Sequence, residues 1–444
     1  MCDISLDTVN IDTIRTPLPC NWISSKSTKA DSKCKELPEN PQLFNEIPLG
    51  SGSFGSVSIL TRDNIDFKGS NEEQIKYCND INNKCVVKKR IEIENNQKDT
   101  SNEANILWIL SQLPPKFNKF FPSIEGYMEN IHSKLDNFDD DDDDDNNNDN
   151  DNNDNDNDNN EDDMYQGGGL LINGNVDIYQ TYSGQNLYYF MKGNNMSFYE
   201  IVRLMATITQ GLCVLHACQI CHYDLKPQNI AIYDIEHINI IDFGASRFIQ
   251  NENSYRILKN ENTFFAELYE ENNATNALYS GPELFNDSGI KKVLSDMWNI
   301  GSIFVEILTG IKVSILLIIN NNNDIDNMSF EKIVQLHDTE TIWNPIALLV
   351  SLSQYEKKGI MSVNVVVRKF LIKFFESRFF VSHYKGIENK HIPDFITDIS
   401  SCFICLKKGM TIKNRISANQ LFRSIKELLN QIPDSLDNLV DIHK

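Results

Sequence analysis

Long apolar runs are missing from this chain. The longest, Val313–Ile319, falls far short of the roughly 20 residues that cross a bilayer. No basic stretch followed by an apolar core appears in the opening MCDISLDTVNIDTIRTPLPC, so no secretory leader is read there. An intracellular protein, cytoplasmic or nuclear and without a membrane partner, is the expectation. Basic residues are also scarce, 41 against 63 acidic ones. No basic patch points to nucleic acid as a ligand. Histidine is sparse near the two CxxC pairs, Cys218/Cys221 and Cys402/Cys405. Their spacing suits zinc, but small buried hydrophobes explain both, and free thiols are expected in a reducing compartment.

At 444 residues, 41 % hydrophobic and 10 % aromatic, the chain can bury a substantial core, as one large or two ordinary domains. The formal charge of −22 misleads. Asp139–Asp163 alone holds fourteen Asp and one Glu with no basic residue, and without it the charge is −7. Residues 137–163 are nearly pure Asp and Asn, cannot bury apolar surface and are expected to be disordered. A surface loop carries such an insertion for about 0.6 kcal/mol per doubling of length. A solvated spacer is favoured over a docking arm for basic partners.

Around that insertion the pattern is globular. Residues 1–40 are polar and Pro-punctuated. LFNEIPLGSGSFGSVSILT reads as strand, glycine turn, strand, residues 62–82 as a polar connection, and CVVKKRIEI as a strand. Ile106, Leu107, Ile109 and Leu110 give Asn102–Leu113 a helical spacing. LLINGNVDIYQTYSG returns to strand. Helices are expected over Ser197–Cys218, Leu294–Leu308 and Ile416–Asn430, and Asn320–Asn323 reads as a loop.

Chemistry concentrates in His222-Tyr223-Asp224-Leu225-Lys226-Pro227-Gln228-Asn229, followed by Asp242-Phe243-Gly244. Phosphoryl transfer from a nucleotide–metal complex needs such a set. Asp224 can accept a hydroxyl proton, and Lys226 can neutralise charge on the transferred group. Asn229 and Asp242 offer the hard oxygens that Mg²⁺ prefers. Upstream, Gly50-Ser51-Gly52-Ser53-Phe54-Gly55-Ser56-Val57 lies between two predicted strands, where glycines let backbone N–H groups approach phosphate oxygens. A dinucleotide fold would open a helix at the third glycine, and here a strand follows.

HYDLKPQN with DFG resembles the catalytic and metal loops of eukaryotic-type protein kinases, and Lys-Pro after the Asp resembles the serine/threonine branch. The resemblance runs from about Leu43 to Leu429. It implies an α+β, bilobal fold, with a five-stranded antiparallel sheet and one helix in a small N-lobe and a larger, mainly helical C-lobe. The division is a flexible extension at 1–42, the N-lobe at 43–182 with the acidic insertion, the C-lobe at 183–434, and a tail at 435–444. Residues 310–400 are enlarged, the chain between Gly301 and Arg415 being about twice the usual length.

The resemblance further implies ATP with Mg²⁺, or Mn²⁺ in its place, protein substrates and a monomer. Lys88 matches the strand lysine that holds the α- and β-phosphates and Glu103 the helix glutamate that orients it. Leu107 would stack towards His222 and Phe243. Val86 takes the place of the usual Ala roof of the adenine pocket and Ala231 that of its Leu floor, changes that roughly cancel in volume. Gln180 would sit behind the pocket, with Thr181 and Tyr182 offering hinge backbone.

Asp296 matches a buried helix aspartate that binds the catalytic-loop backbone, and Glu283 in Gly-Pro-Glu should pair with Arg415. Tyr223 stands where many members have an Arg that pairs with an activation-segment phosphate. Strict dependence on phosphorylation is therefore not expected, although Ser254, Tyr255, Thr263, Tyr269, Thr275 and Tyr279 could be modified. Asn276, beside Thr275, stands where a hydroxyl-selecting Thr is usual. A pseudokinase scaffold and a small-molecule kinase of related fold remain the alternatives.

Overall fold

In the computed structural model, the residues described are 45–52, 55–61, 85–93, 101–134, 171–194, 196–248, 278–281, 294–322, 325–338, 363–378, 380, 392–404 and 415–432. Expectations for 1–42, 62–82, 137–163, Ser53, Phe54, Ser254, Tyr255, Thr263, Tyr269, Thr275, Asn276, Glu283, Cys405 and the tail 435–444 lie outside them.

The first lobe is built on one antiparallel sheet in the spatial order β1-β2-β3-β5-β4. Its strands are β1 (Asn45–Gly52), β2 (Gly55–Thr61), β3 (Val86–Ile93), β4 (Ile124–Lys134) and β5 (Leu171–Thr181). Successive side chains of a strand point to opposite faces. On β3 this buries Val87 and Lys89 with the preceding Cys85, and leaves Val86, Lys88 and Arg90 half-buried on the other face. Helix α1 (Ser101–Ser111) lays Ala104, Ile106, Leu107 and Leu110 into the core. The short α2 (Pro115–Asn118) begins with Pro at its first position, where a missing N–H costs nothing.

The chain then crosses to the second lobe through β6 (Gln185–Asn186) and α3 (Leu187–Gly193), with Asn186 capping the Tyr189 N–H at 3.1 Å. Helix α4 (Phe198–Ala217) opens on a capping box. Ser197 accepts from the Glu200 N–H, and the Glu200 carboxylate accepts from the Ser197 N–H at 2.7 Å. By length and composition α4 could cross a membrane, but 72 % of that window is buried inside the protein, as befits a core helix. After it come β7 (Ile220–Cys221), β8 (Ile230–Asp234), β9 (His237–Ile240) and β10 (Arg247–Phe248), paired as β6-β8-β9 and β7-β10.

Every residue of α5 (Ser295–Thr309) is buried. A Cβ on its Gly301 would lie 2.6 Å from the Cys402 Cβ, so glycine lets the Cys402–Phe403 turn close on the helix. The remaining helices are α6 (Val313–Asn322), α7 (Phe330–His337), α8 (Val363–Glu376), α9 (Ile392–Ser401) and α10 (Ala418–Leu429).

The Asn320–Asn323 loop reading is corrected here. Asn320–Asn322 finish α6, because burial of Leu316, Leu317, Ile318 and Ile319 carries the helix past residues of low propensity. The enlarged region is no appendage. Rings of α8 and α7 reach the first turn of α4, with Phe198–Phe375 centroids 6.2 Å apart and Phe330–Phe374 5.3 Å apart. The helices read as Asn102–Leu113, Ser197–Cys218, Leu294–Leu308 and Ile416–Asn430 appear as α1, α4, α5 and α10 with ends shifted by a residue or two. One apolar core runs from Ala104 to Ile432 through both lobes.

Candidate active site

Four elements converge where the lobes meet: β3, α1, the loop between β7 and β8, and the segment after β9. Lys89 Nζ lies 2.7 Å from Glu103 Oε2 and 2.6 Å from Asp242 Oδ1. Lys88, the lysine assigned on the resemblance, is not the one that meets Glu103. Strand alternation turns it to the outer face of the sheet, where its Nζ pairs with half-exposed Glu46 at 3.3 Å. The same one-residue phase error moves the roof of the neighbouring pocket from Val86 to Val87. Val87 is buried with Ile47, Ile59 and Cys85, against Val57 and Tyr182.

The glycine turn is tied to this sheet. Gly50, Ser51 and Gly52 pair with Val57, Ser56 and Gly55. Gly55 has φ 113°, and a Cβ there would lie 1.8 Å from the Arg90 carbonyl oxygen, so only glycine fits.

Below, Asp296 on α5 fixes the catalytic loop. Its Oδ2 accepts from the His222 N–H and its Oδ1 from the Tyr223 N–H, both at 2.9 Å, and His216 Nε2 lies 2.9 Å from Oδ2. These bonds hold Tyr223 in a left-handed conformation, φ 64°, that an aromatic residue rarely adopts. Burial works against the Asp296 carboxylate, but His216 and the loop N–H groups outweigh it and keep its pKa lowered. His222 Nδ1 accepts from the Asp224 N–H at 3.3 Å, which puts the ring proton on Nε2, donating to the Ile241 carbonyl at 3.0 Å.

Asp224 Oδ2 accepts from Lys226 Nζ at 2.9 Å and from Asn229 Nδ2 at 3.0 Å. Asn229 Nδ2 also reaches the Asp224 carbonyl at 2.8 Å. Both amide protons of Asn229 are thus directed at Asp224, and its Oδ1 is the atom left to face a cation. Asp242, at φ 65°, gives Oδ1 to Lys89 and keeps Oδ2 for another partner. Two hard oxygens on adjoining segments suit Mg²⁺. Among the described residues no group of three or more His, Cys, Asp or Glu could hold a metal alone. Phosphate oxygens or water would have to complete any coordination shell there.

Charge is arranged unevenly across the site. Burial would raise the Asp242 carboxyl, yet the Lys89 ammonium holds it at about 2. Burial raises Asp224 above the ordinary range against the pull of Lys226. Lys89 is raised because its two carboxylates outweigh the burial that would lower it. Phe243 stacks 5.2 Å from the His222 ring and shares the core with Leu107. Asn102 Nδ2 donates to the Ser246 carbonyl at 2.7 Å, a tie between α1 and the segment after Asp242 that sequence reasoning missed.

Of the remaining candidates, Ala231 is buried on β8 opposite Asn186. The Thr181 N–H donates to the Ser123 carbonyl and the Tyr182 N–H to the Cys85 carbonyl, so neither donor offered as hinge backbone is open. Arg415 donates to the Ile404 and Leu294 carbonyls and lies over the Trp298 ring. Cys218 and Cys221 are buried, with thiols raised by burial, and so behave as core residues.

A sheet lobe and a helical lobe, joined at one strand connection and meeting at an ion triad above an Asp–Lys–Asn loop, define the protein-kinase class of fold. The family description "Protein kinase domain" matches residues 176–423, more than half of the chain, and the chain belongs to the eukaryotic-type serine/threonine protein kinase family. Lys89, Glu103 and the glycine turn lie ahead of the matched residues. Serine/threonine-protein kinase MAK of Rattus norvegicus is 30 % identical over 130 residues, 29 % of this chain and 18 % of that protein. Serine/threonine-protein kinase 17A of Oryctolagus cuniculus is 32 % identical over 115 residues, 25 % of each. Glycogen synthase kinase-3 homolog YGK3 of Saccharomyces cerevisiae is 30 % identical over 132 residues, 30 % of this chain and 31 % of that protein. The chain thus covers no more than 31 % of the length of any of the three.

Proposed function

We propose that this chain is an active, ATP-dependent protein kinase, transferring the γ-phosphoryl to serine or threonine hydroxyls of protein substrates. The observation that carries this reading is the assembled triad Lys89–Glu103–Asp242 facing the Asp224–Lys226–Asn229 loop. Such transfer depends on positioning and charge stabilisation rather than covalent chemistry. Lys89, oriented by Glu103, would hold the α- and β-phosphates, and the glycine turn would cover them. Asn229 Oδ1 and Asp242 Oδ2 would hold Mg²⁺, or Mn²⁺ in its place, which when bound neutralises charge on the triphosphate. Asp224 would orient and deprotonate the acceptor hydroxyl while Lys226 faces the transferred group. Val57, Val87 and Ala231 would enclose the base. The Ser183 N–H, which enters no backbone hydrogen bond among the described residues, replaces Thr181 and Tyr182 as hinge donor. Lys226, followed by Pro227, supports serine or threonine as acceptor.

The test is transfer of label from γ-³²P-ATP to a generic basic protein. Incorporation is expected with Mg²⁺ and none with excess chelator. No incorporation above an enzyme-free blank, with either Mg²⁺ or Mn²⁺, would leave a scaffold without turnover and overturn the reading.

Control should differ from that of kinases switched by a phosphate. Tyr223 cannot make a charge-assisted pair with one, and α1 is already tied inward through Lys89 and through Asn102 to Ser246. Phosphatase treatment followed by removal of the phosphatase is expected to leave at least half of the label-transfer rate. Loss of nearly all of it would contradict this account.

A further inference from the structure

Gln180 carries a buried polar atom that nothing in the protein satisfies. It is the last residue but one of β5 and 8 % exposed, and its Oε1 has no hydrogen-bond partner. Where it points follows from the register. Gln180 stands opposite Val87, and Ile178 opposite Lys89. Directly opposed residues of an antiparallel pair share a face. Lys89 reaches Glu103 and Asp242 between the lobes, so Val87 and Gln180 face the same side. Gln180 lies one step nearer the connection to the second lobe.

An orphaned amide oxygen at this depth is a standing penalty, and native chains keep few of them. The adjoining backbone donors do not relieve it. The Thr181 N–H is taken by Ser123 and the Tyr182 N–H by Cys85. The remaining source of a donor is whatever occupies the space beneath Val87. On the nucleotide reading above, that occupant is a purine whose phosphates extend towards Lys89 and the glycine turn. Adenine carries an exocyclic amine, a donor, where guanine carries an oxo group, an acceptor.

We propose that Gln180 is a specificity-determining residue, its amide oxygen accepting a hydrogen bond from the 6-amino group of the adenine ring. The contact satisfies the one polar atom that the empty pocket leaves bare. It ties base choice to the strand that also positions Lys89.

The measurement is calorimetric binding of two probes, ADP and the diphosphate of 6-unsubstituted purine riboside, to the wild-type chain and to Gln180→Leu. Leucine nearly conserves volume and removes the orphaned atom. The melting temperature without ligand is therefore expected to stay level or rise. Wild type should prefer ADP, and the variant should lose about three- to tenfold of that preference, the range for one neutral hydrogen bond. Gln180→Glu, which keeps an acceptor, should retain it. ADP binding by both proteins with an unchanged preference overturns the Gln180 proposal alone. Failure of the wild-type chain to bind ADP overturns the nucleotide reading and this proposal with it. If Gln180→Leu melts lower, the Glu variant decides, and loss of preference there would also refute the assignment.

Discussion

Replacing Lys89 by Met is expected to lower kcat by about 10²–10³-fold, the usual loss when one preorganised charge is removed from a transition state. The same change at Lys88 should lower it by less than about threefold. The two residues are neighbours with equal formal charge, and only their partners differ. Lys89 is enclosed with Glu103 and Asp242, whose carboxylates it keeps compatible at close range. Lys88 meets Glu46 on the outer face, and an exposed pair of this kind contributes only about 0–1 kcal/mol. Steady-state label transfer with each variant, at saturating ATP, decides the matter. Because Lys89→Met leaves two buried carboxylates without their cation, its melting curve must accompany the rate. A folded variant with near wild-type kcat would remove Lys89 from the machinery. A deep loss at Lys88 with Lys89 tolerant would restore the original assignment.

That misassignment shows what a sequence does and does not specify. Val86-Val87-Lys88-Lys89 carries two lysines one residue apart, and the period of a strand is two. One of them must therefore face the site and the other the opposite side, and composition cannot choose the phase. A signal was present. Cys85, Val87 and Lys89 alternate on one face, and the family pattern Val-Ala-Ile-Lys places its lysine fourth in the run, which here is Lys89. Counting from the first lysine met gave the wrong face and carried the pocket roof with it.

Features that depend on chemistry in one contiguous stretch were legible. Asp224, Lys226 and Asn229 bond one another within a six-residue loop, so their spacing already contains their geometry. The aspartate of α5 was recognised by its motif and makes its expected bonds to the loop backbone. Long helices announced themselves through apolar period and caps, as Ser197 and Glu200 show for α4. By contrast, Asn102 to Ser246 spans 144 positions. Neither residue type singles itself out, and only the fold brings them together. The Asn-rich end of α6 failed for a related reason, since local propensity favours a turn while tertiary burial of its apolar residues decides for helix.

Asp224→Asn should lower kcat by about 10²–10⁴-fold, the range associated with a positioned general base, while ATP affinity stays within about twofold. The substitution is nearly isosteric. Its side-chain oxygen can still accept from Lys226 and Asn229 as Asp224 Oδ2 does, at 2.9 and 3.0 Å, so the loop should keep its shape. What disappears is the ability to take a proton. The pH dependence separates this from a merely structural role. Burial raises the Asp224 carboxyl above the ordinary carboxylate range, and only the ionised form can act as acceptor. Below that raised pKa the base is protonated and idle, so wild-type kcat/KM should fall with decreasing pH through a limb set higher than an unperturbed aspartate would give. In the Asn form that limb should vanish, leaving a low residual rate insensitive to pH over the same interval. An Asn variant that keeps wild-type kcat would remove Asp224 from the proton transfer. One that loses rate but keeps the acidic limb would assign the limb, and the base, to another group.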